Sequence, residues 1–380
     1  MAISWYYLSK RIAVSKHSTG RLPRRALRLR PPRNDKAATA SYYQKEYLLA
    51  TGVFSWYTKE KLSGGGISML ILILPAVLLA GFLYALYYGY KLAFQYTDPM
   101  ESPYCYTDSD QTRRCKPVLD RVIGEFLAAP YEAVSITSHD GLKLTGRYYH
   151  VCDGAPLEIL CHGYKGNAIR DFAGIWQLAK AAGHNVLLIN QRCHGGSEGR
   201  TITFGILERR DVMGWIRYAN NRFGSVPIVL SGVSMGAATV LMVSGMELPE
   251  NIKGVIADCP YDSPASIIKK VLNQDMGLPV GAVYPLILLG GILYGRFHLN
   301  ADSPVEAVQR ARVPILLIHG DDDRFVPHAM SCNIHGAAPE RIEFHTIPGA
   351  GHALNYVTDP EGYTEIVNRF YRKIFTKNGD

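Results

Sequence analysis

Gly232-Val233-Ser234-Met235-Gly236 separates the apolar run Pro227 to Leu230 from the small-residue run Ala237 to Val243. A short apolar run bounded by glycine reads as a buried strand, and the run after it reads as a helix. A serine at the apex of a strand–turn–helix is a nucleophile elbow, in which the turn exposes the hydroxyl and aims backbone N–H groups at one point. The glycines stand two residues either side of Ser234, where a β-carbon would collide with the turning chain. A bare G-x-S-x-G also makes ordinary turns, so the reading depends on an acid and a histidine following in order.

Both follow. Pro314 to Gly320 is an apolar run fit for a buried parallel strand and ends in Asp321-Asp322-Asp323-Arg324-Phe325-Val326-Pro327. A second strand-like run, Ile342 to Ile347, ends in Pro348-Gly349-Ala350-Gly351-His352. Acid and base thus each sit just past the carboxyl end of a strand, where open parallel sheets build their sites.

With His162-Gly163-Tyr164-Lys165-Gly166-Asn167 and Asn190 to Gly199 added, five motifs stand in order between about Ala133 and Phe375. In this the chain resembles the α/β-hydrolases, and more closely a bacterial branch described as serine-aminopeptidase-like (S33 type), many members of which carry one amino-terminal membrane helix. The resemblance implies an α/β fold with a mostly parallel central sheet, helices on both faces and a small helical lid. It implies a catalytic set of Ser234 as nucleophile, His352 as base and Asp323 as the acid that holds the imidazole, with the backbone N–H groups of Tyr164 and Met235 as oxyanion donors. Asp323 is chosen by the family spacing His-Gly-x-x-Asp, with Asp321 and Asp322 as alternatives. His194 is expected to be a turn histidine, and Cys193 stands where the related motif often has Gly or Ala. The alternation of apolar and helical stretches from Leu157 to Phe375 predicts the same sheet independently, preceded by an antiparallel hairpin over Ala133 to Thr137 and Leu142 to Tyr149.

The chain has 380 residues, 47% of them hydrophobic, and a net charge of +8. That charge is local: residues 1–66 hold 13 Lys/Arg against 3 Asp/Glu, and the remainder holds 28 against 30. A nucleic-acid partner would need basic residues clustered on the folded domain, so none is expected. The first 34 residues contain nine Lys/Arg and no acid. They suit a solvated disordered tail, a polybasic segment on an anionic membrane face, a transit peptide, or an untranslated extension.

Ile67 to Gly89 is 23 residues without a charge, about 34 Å as a helix against a hydrocarbon core of about 30 Å. Tyr84, Tyr87, Tyr88 and Tyr90 suit an interfacial belt. The expected organisation is therefore a basic tail (1–66), a transmembrane helix (67–89), a linker (90–130) and the catalytic domain (131–376), with a lid at 261–296. The basic flank puts the amino terminus in the cytoplasm and the catalytic domain outside. In that compartment the short loop between Cys105 and Cys115 could be closed by a disulfide, a pairing the sequence leaves open, and the other five of the seven cysteines lack metal spacing. No metal and no cofactor is expected, the Asp321-Asp322-Asp323 run reading as a solvated acidic turn. No oligomeric state follows.

Within the lid, Gly277 to Gly295 is 19 residues without a charge but with two prolines and five glycines. That composition suits an apolar lid over an acyl or aromatic pocket, touching the membrane surface, better than a second span. The expected activity is hydrolysis of an ester or thioester of an apolar acyl group. An aminopeptidase on apolar peptides and a non-catalytic binding module are the alternatives.

Overall fold

The computed structural model describes residues 65–96, 102–106 and 109–376. Residues 1–64 of the basic tail lie outside them, and its last two, Gly65 and Gly66, open the first helix. The chain divides into two units, one reaching Tyr87 and the other running from Tyr88. In the first, the described residues form the body of helix α1 (Gly65–Ala93). Over Leu72–Ala93 this helix has a mean hydropathy of 1.9, and its 22 residues are long and apolar enough to cross a membrane by length and composition. Leu72, Val77, Leu78 and Leu79 are all exposed.

In the second unit the elements are α2 (Asp110–Ala128), β1 (Glu132–Thr137), β2 (Lys143–Tyr149), β3 (Leu157–Cys161), α3 (Ala168–Ala181), β4 (Asn185–Ile189), α4 (Glu208–Phe223), β5 (Ile228–Val233) and α5 (Met235–Ser244). They continue with β6 (Ile252–Asp258), α6 (Pro264–Lys270), a π-helical turn (Val271–Asp275), α7 (Val280–Gly295), α8 (Pro304–Arg310), β7 (Ile315–Gly320), α9 (His328–Ala337), β8 (Ile342–Ile347), α10 (Asn355–Thr358) and α11 (Pro360–Phe375). The sheet order is β1-β2-β4-β3-β5-β6-β7-β8. The β1–β2 hairpin is antiparallel and joins β4 antiparallel, and every other pairing is parallel. This is the α/β-hydrolase fold.

Period-2 alternation explains why helices cover both faces. In β5, Ile228 and Leu230 face a core shared with Trp215 of α4 and Val240 of α5. Val229 and Val233 face the opposite core, with Phe172 of α3 and Phe370 of α11. Strand β3 lies between β4 and β5, so successive crossovers leave it on opposite sides and open a crevice at its carboxyl end.

The stretch 90–130, expected as a linker, contains α2. Ser109 caps this helix by accepting from the Thr112 N–H, and Leu119, Val122, Ile123 and Phe126 are buried at helical spacing. Phe126 stacks on Trp176 of α3 with centroids 4.6 Å apart. The thiols of Cys105 and Cys115 are free rather than joined, Cys115 being built into this helix.

Candidate active site

Strand β5 delivers Ser234 into a turn with φ 55° and ψ −116°, outside the ordinary regions for a residue with a side chain. The flanking glycines permit it. A β-carbon on Gly232 would come within 2.3 Å of the Gly236 carbonyl, and one on Gly236 within 1.8 Å of the Cys161 carbonyl oxygen. The Ser234 N–H donates to the Asp258 carbonyl (2.8 Å), pinning the turn to the end of β6.

The loops after β7 and β8 converge on this serine. The Ser234 hydroxyl lies 2.9 Å from His352 Nε2, and His352 Nδ1 lies 2.6 Å from Asp323 Oδ2. A ring nitrogen facing a carboxylate carries the proton, which leaves Nε2 as the acceptor for the serine hydroxyl. The structure thus brings together Ser234, His352 and Asp323. Asp321 and Asp322 are engaged elsewhere: Asp321 accepts from the Gly349 N–H (2.6 Å), and Asp322 accepts from Gln111 Nε2 (2.6 Å) and Arg324 Nε (2.9 Å).

Asp323 is buried and accepts four hydrogen bonds. Oδ1 receives the N–H groups of Phe325 (2.9 Å) and Val326 (2.8 Å), and Oδ2 receives His352 and, at 3.2 Å, His319 Nε2. His319 Nε2 also faces the Val326 carbonyl (3.0 Å), so it must be a donor, and its Nδ1 takes the Ser331 hydroxyl (2.6 Å). Burial alone would raise the Asp323 carboxyl. The charge of His352 and the hydrogen bonds from His319 and His352 overcome it and hold the group well below the usual carboxylate range. The second imidazole went unseen in the sequence, although the spacing from His319 to Asp323 that selected the acid also placed it there. So did Gln111, from α2: a β-carbon on Gly351, next to His352, would fall 2.1 Å from its Oε1. One side chain of α2 therefore touches both loops of the site.

Met235 opens α5, so its N–H precedes the helical ladder, and Tyr164 follows β3 in the turn Gly163 to Gly166. That turn wraps around Asp171, whose Oδ2 accepts the Gly163 N–H (2.9 Å). His194 is buried in the next loop, with Nδ1 on the Arg192 carbonyl (2.8 Å) and its ring edge-on to His162.

Among the described residues, two clusters bring three metal-ligating groups together: Cys259, Asp323 and His352, and His139, Asp140 and Asp211. In the first, His352 is already shared between Asp323 and Ser234. In the second, the Arg192 guanidinium bonds Asp211 (2.7 Å) and Asp140 (3.1 Å), which serves where a cation would. The Cys259 thiol is pushed well above its usual value by burial and by the charges of Asp258 and Asp323, so it stays neutral.

Two cavities meet at the serine–histidine pair. The one at Ser234 is apolar, with Tyr164, Phe204, Tyr261, Ile268, Leu272, Ile287 and Phe325 among its lining residues. The one at His352 is of mixed character and includes Arg113, Arg170, Asp322 and Arg324 beside Leu119, Phe325 and Leu354.

The family model described as α/β hydrolase fold matches residues 159–282. The uncharacterized protein YqkD of Bacillus subtilis is 27% identical over 269 residues, covering 70% of this chain and 87% of its own. A monoacylglycerol lipase of Mycolicibacterium smegmatis is 27% identical over 234 residues, covering 53% and 82%. Among solved structures, the Pyrococcus furiosus esterase Pf2001 superposes with a TM-score of 0.55 at 18% identity, over 74% of this chain and 98% of that one. The chain has the α/β-hydrolase fold, and the match of its middle third to that family's model, with these relatives, supports placing it in that superfamily.

Proposed function

We propose that the protein is a serine hydrolase of esterase or lipase type, anchored in a membrane by α1, that cleaves esters or thioesters of an apolar acyl group. The observation that carries this reading is the relay Asp323–His352–Ser234 with an apolar cavity opening at the serine hydroxyl. Ser234 Oγ attacks the acyl carbonyl carbon while His352 Nε2 takes its proton. The carbonyl oxygen becomes an oxyanion, received by the N–H groups of Tyr164 and Met235. Collapse breaks the bond to the leaving group, which takes the proton back from His352 Nε2–H. Water, deprotonated by His352 Nε2, then adds to the acyl carbon; the bond to Ser234 Oγ breaks, Oγ takes the proton back from His352, the free acid leaves, and Asp323 remains ionised throughout.

The acyl chain enters at the apolar cavity, whose walls must part for it because the free space between them is about 20 Å³, and the leaving group departs into the cavity beside His352. An aminopeptidase would need a carboxylate for the substrate ammonium. Among the described residues no acidic one lines the apolar cavity, and in the one beside His352 Asp110, Asp171 and Asp322 each pair with an arginine, at 3.3, 3.3 and 2.9 Å. The basic amino-terminal flank supports a cytoplasmic amino terminus and an outward-facing catalytic domain.

The test is a p-nitrophenyl ester series on the full-length chain in detergent. Each buried methylene is worth about 0.8 kcal/mol, so kcat/KM should rise at least about tenfold from acetyl to medium-chain esters. A preference for acetyl would sink the acyl assignment.

A further inference from the structure

We propose that the outer face of α7 lies in the headgroup region of the membrane that α1 enters, so that the apolar cavity receives its acyl chain directly from the bilayer. This rests on the reading proposed above, on its membrane anchor for the bilayer and on its hydrolase for the fate of the chain.

The first observation is how residues 90–96 are held. Ala93, the last residue of α1, offers its carbonyl to the Tyr164 hydroxyl (3.1 Å), and Tyr90 bonds through its hydroxyl to Thr201 Oγ1 (2.6 Å). The chain beyond is stitched to the domain by main-chain bonds, Ile202 N–H to the Phe94 carbonyl (2.8 Å) and Tyr96 N–H to the Arg200 carbonyl (3.0 Å). Phe94 is fully buried, edge-on to Phe204 at 6.0 Å and to Phe297 at 4.9 Å. Tyr164 and Phe204 are themselves walls of the apolar cavity. The residues that end the apolar helix therefore back the cavity wall and are no loose tether.

The second observation is α7, which rests on the same residues. Its Gly291 and Gly295 leave so little space that β-carbons there would stand 3.1 Å from Phe94 and 3.3 Å from Tyr90. Its inner side buries Tyr284 and Ile287, the latter reaching the cavity. Its outer side exposes Leu289 (46%), Ile292 (46%) and Leu293 (51%), and the helix carries no charge over 16 residues. A helix covering a water-facing domain should carry polar residues there. Exposed cations stand at its margins: Arg296 ends the helix, and Lys269 lies 4.7 Å from the Tyr284 ring. Apolar centre and cationic edge suit an acyl–headgroup boundary with anionic lipid. The bilayer is favoured over a protein partner because the chain leaves α1 at residues that α7 touches.

The experiment uses the full-length chain in lipid nanodiscs. Ile292→Trp is compared with its parent in discs of plain and brominated phosphatidylcholine. Bromine should quench the added emission, an outcome that does not depend on activity. Separately, Leu289→Asp combined with Leu293→Asp should lower turnover of a long-chain ester dissolved in the discs at least about tenfold. Turnover of a short, water-soluble ester should stay within about twofold. Emission indifferent to bromine overturns the proposal, whether that face meets water or a second copy of the chain. So does retained turnover of the lipid-borne ester, or an equal fall on both esters. Failure of the hydrolase reading looks different: no form cleaves either ester, while the quenching persists.

Discussion

Replacing Asp323 by Asn keeps the shape of the acid and changes only where its protons sit. The amide oxygen must stay on the Oδ1 side, because the Phe325 and Val326 N–H groups there can only donate. Its NH2 then faces His352 Nδ1 and His319 Nε2, from positions now 2.6 and 3.2 Å away. His319 can answer by moving its proton to Nδ1, since the Ser331 hydroxyl can accept as well as donate. His352 has no such freedom. A proton moved to Nε2 removes the lone pair that accepts from Ser234. Catalysis then depends on a minor tautomer, and a fall in kcat of about 10⁴, or about 5 kcal/mol of transition-state stabilisation, is expected with KM little changed. Steady-state kinetics on a medium-chain p-nitrophenyl ester, with circular dichroism to check folding, reads this directly. A folded Asp323→Asn protein within tenfold of the parent would refute the tautomer argument.

The same substitution has a signature in stability. The Asp323 carboxyl is held well below its usual range, so its contribution is complete above its unfolded pKa of about 4 and is lost as pH falls towards its depressed folded value. In urea titrations, the stability advantage of the parent over Asp323→Asn should shrink below about pH 4, and an advantage independent of pH would contradict the assignment. Gly236→Ala should abolish soluble folded protein, because a contact of 1.8 Å with a strand carbonyl costs more than about 4 kcal/mol; normal thermal unfolding would show that the elbow can relax. Phe126→Ala should destabilise the domain by about 3–5 kcal/mol in denaturant titration, with no effect expected only if α2 is a detachable appendage. Leu272→Trp, filling the apolar cavity, should lower kcat/KM for medium-chain esters about tenfold while sparing acetyl esters, and a uniform effect would argue against that cavity as the acyl site.

The sheet was legible because its strands are short and apolar with glycine or proline at their ends, and because the elbow at Ser234 fixes where a strand must stop. The order of serine, acid and histidine was legible for the same reason, each falling just past a strand. Helix α2 was not. Pro117, two cysteines and several aspartates gave its region the composition of a linker, while the four apolar positions from Leu119 to Phe126 carried the weaker helical signal. Contacts across the fold left no local trace: Gln111 meets Asp322 across 211 residues, and Tyr164 meets Ala93 across 71. The pairing of Cys105 and Cys115 stayed open in the sequence because cysteine spacing says nothing of direction, and the structure leaves both thiols free. The stitching of residues 90–96 to the cavity wall also decides how the protein should be handled, since a truncated chain starting at 102 would lack the residues that back that wall.

The proposed chemistry turns on Ser234 as the nucleophile. Fluorophosphonate labelling of the full-length chain in detergent, beside Ser234→Ala, tests it most directly, with the adduct mapped by peptide mass spectrometry. One adduct is expected, on Ser234, absent from the variant together with all ester turnover. A folded parent protein that takes no label and turns over no ester, or an adduct that survives Ser234→Ala, would contradict it.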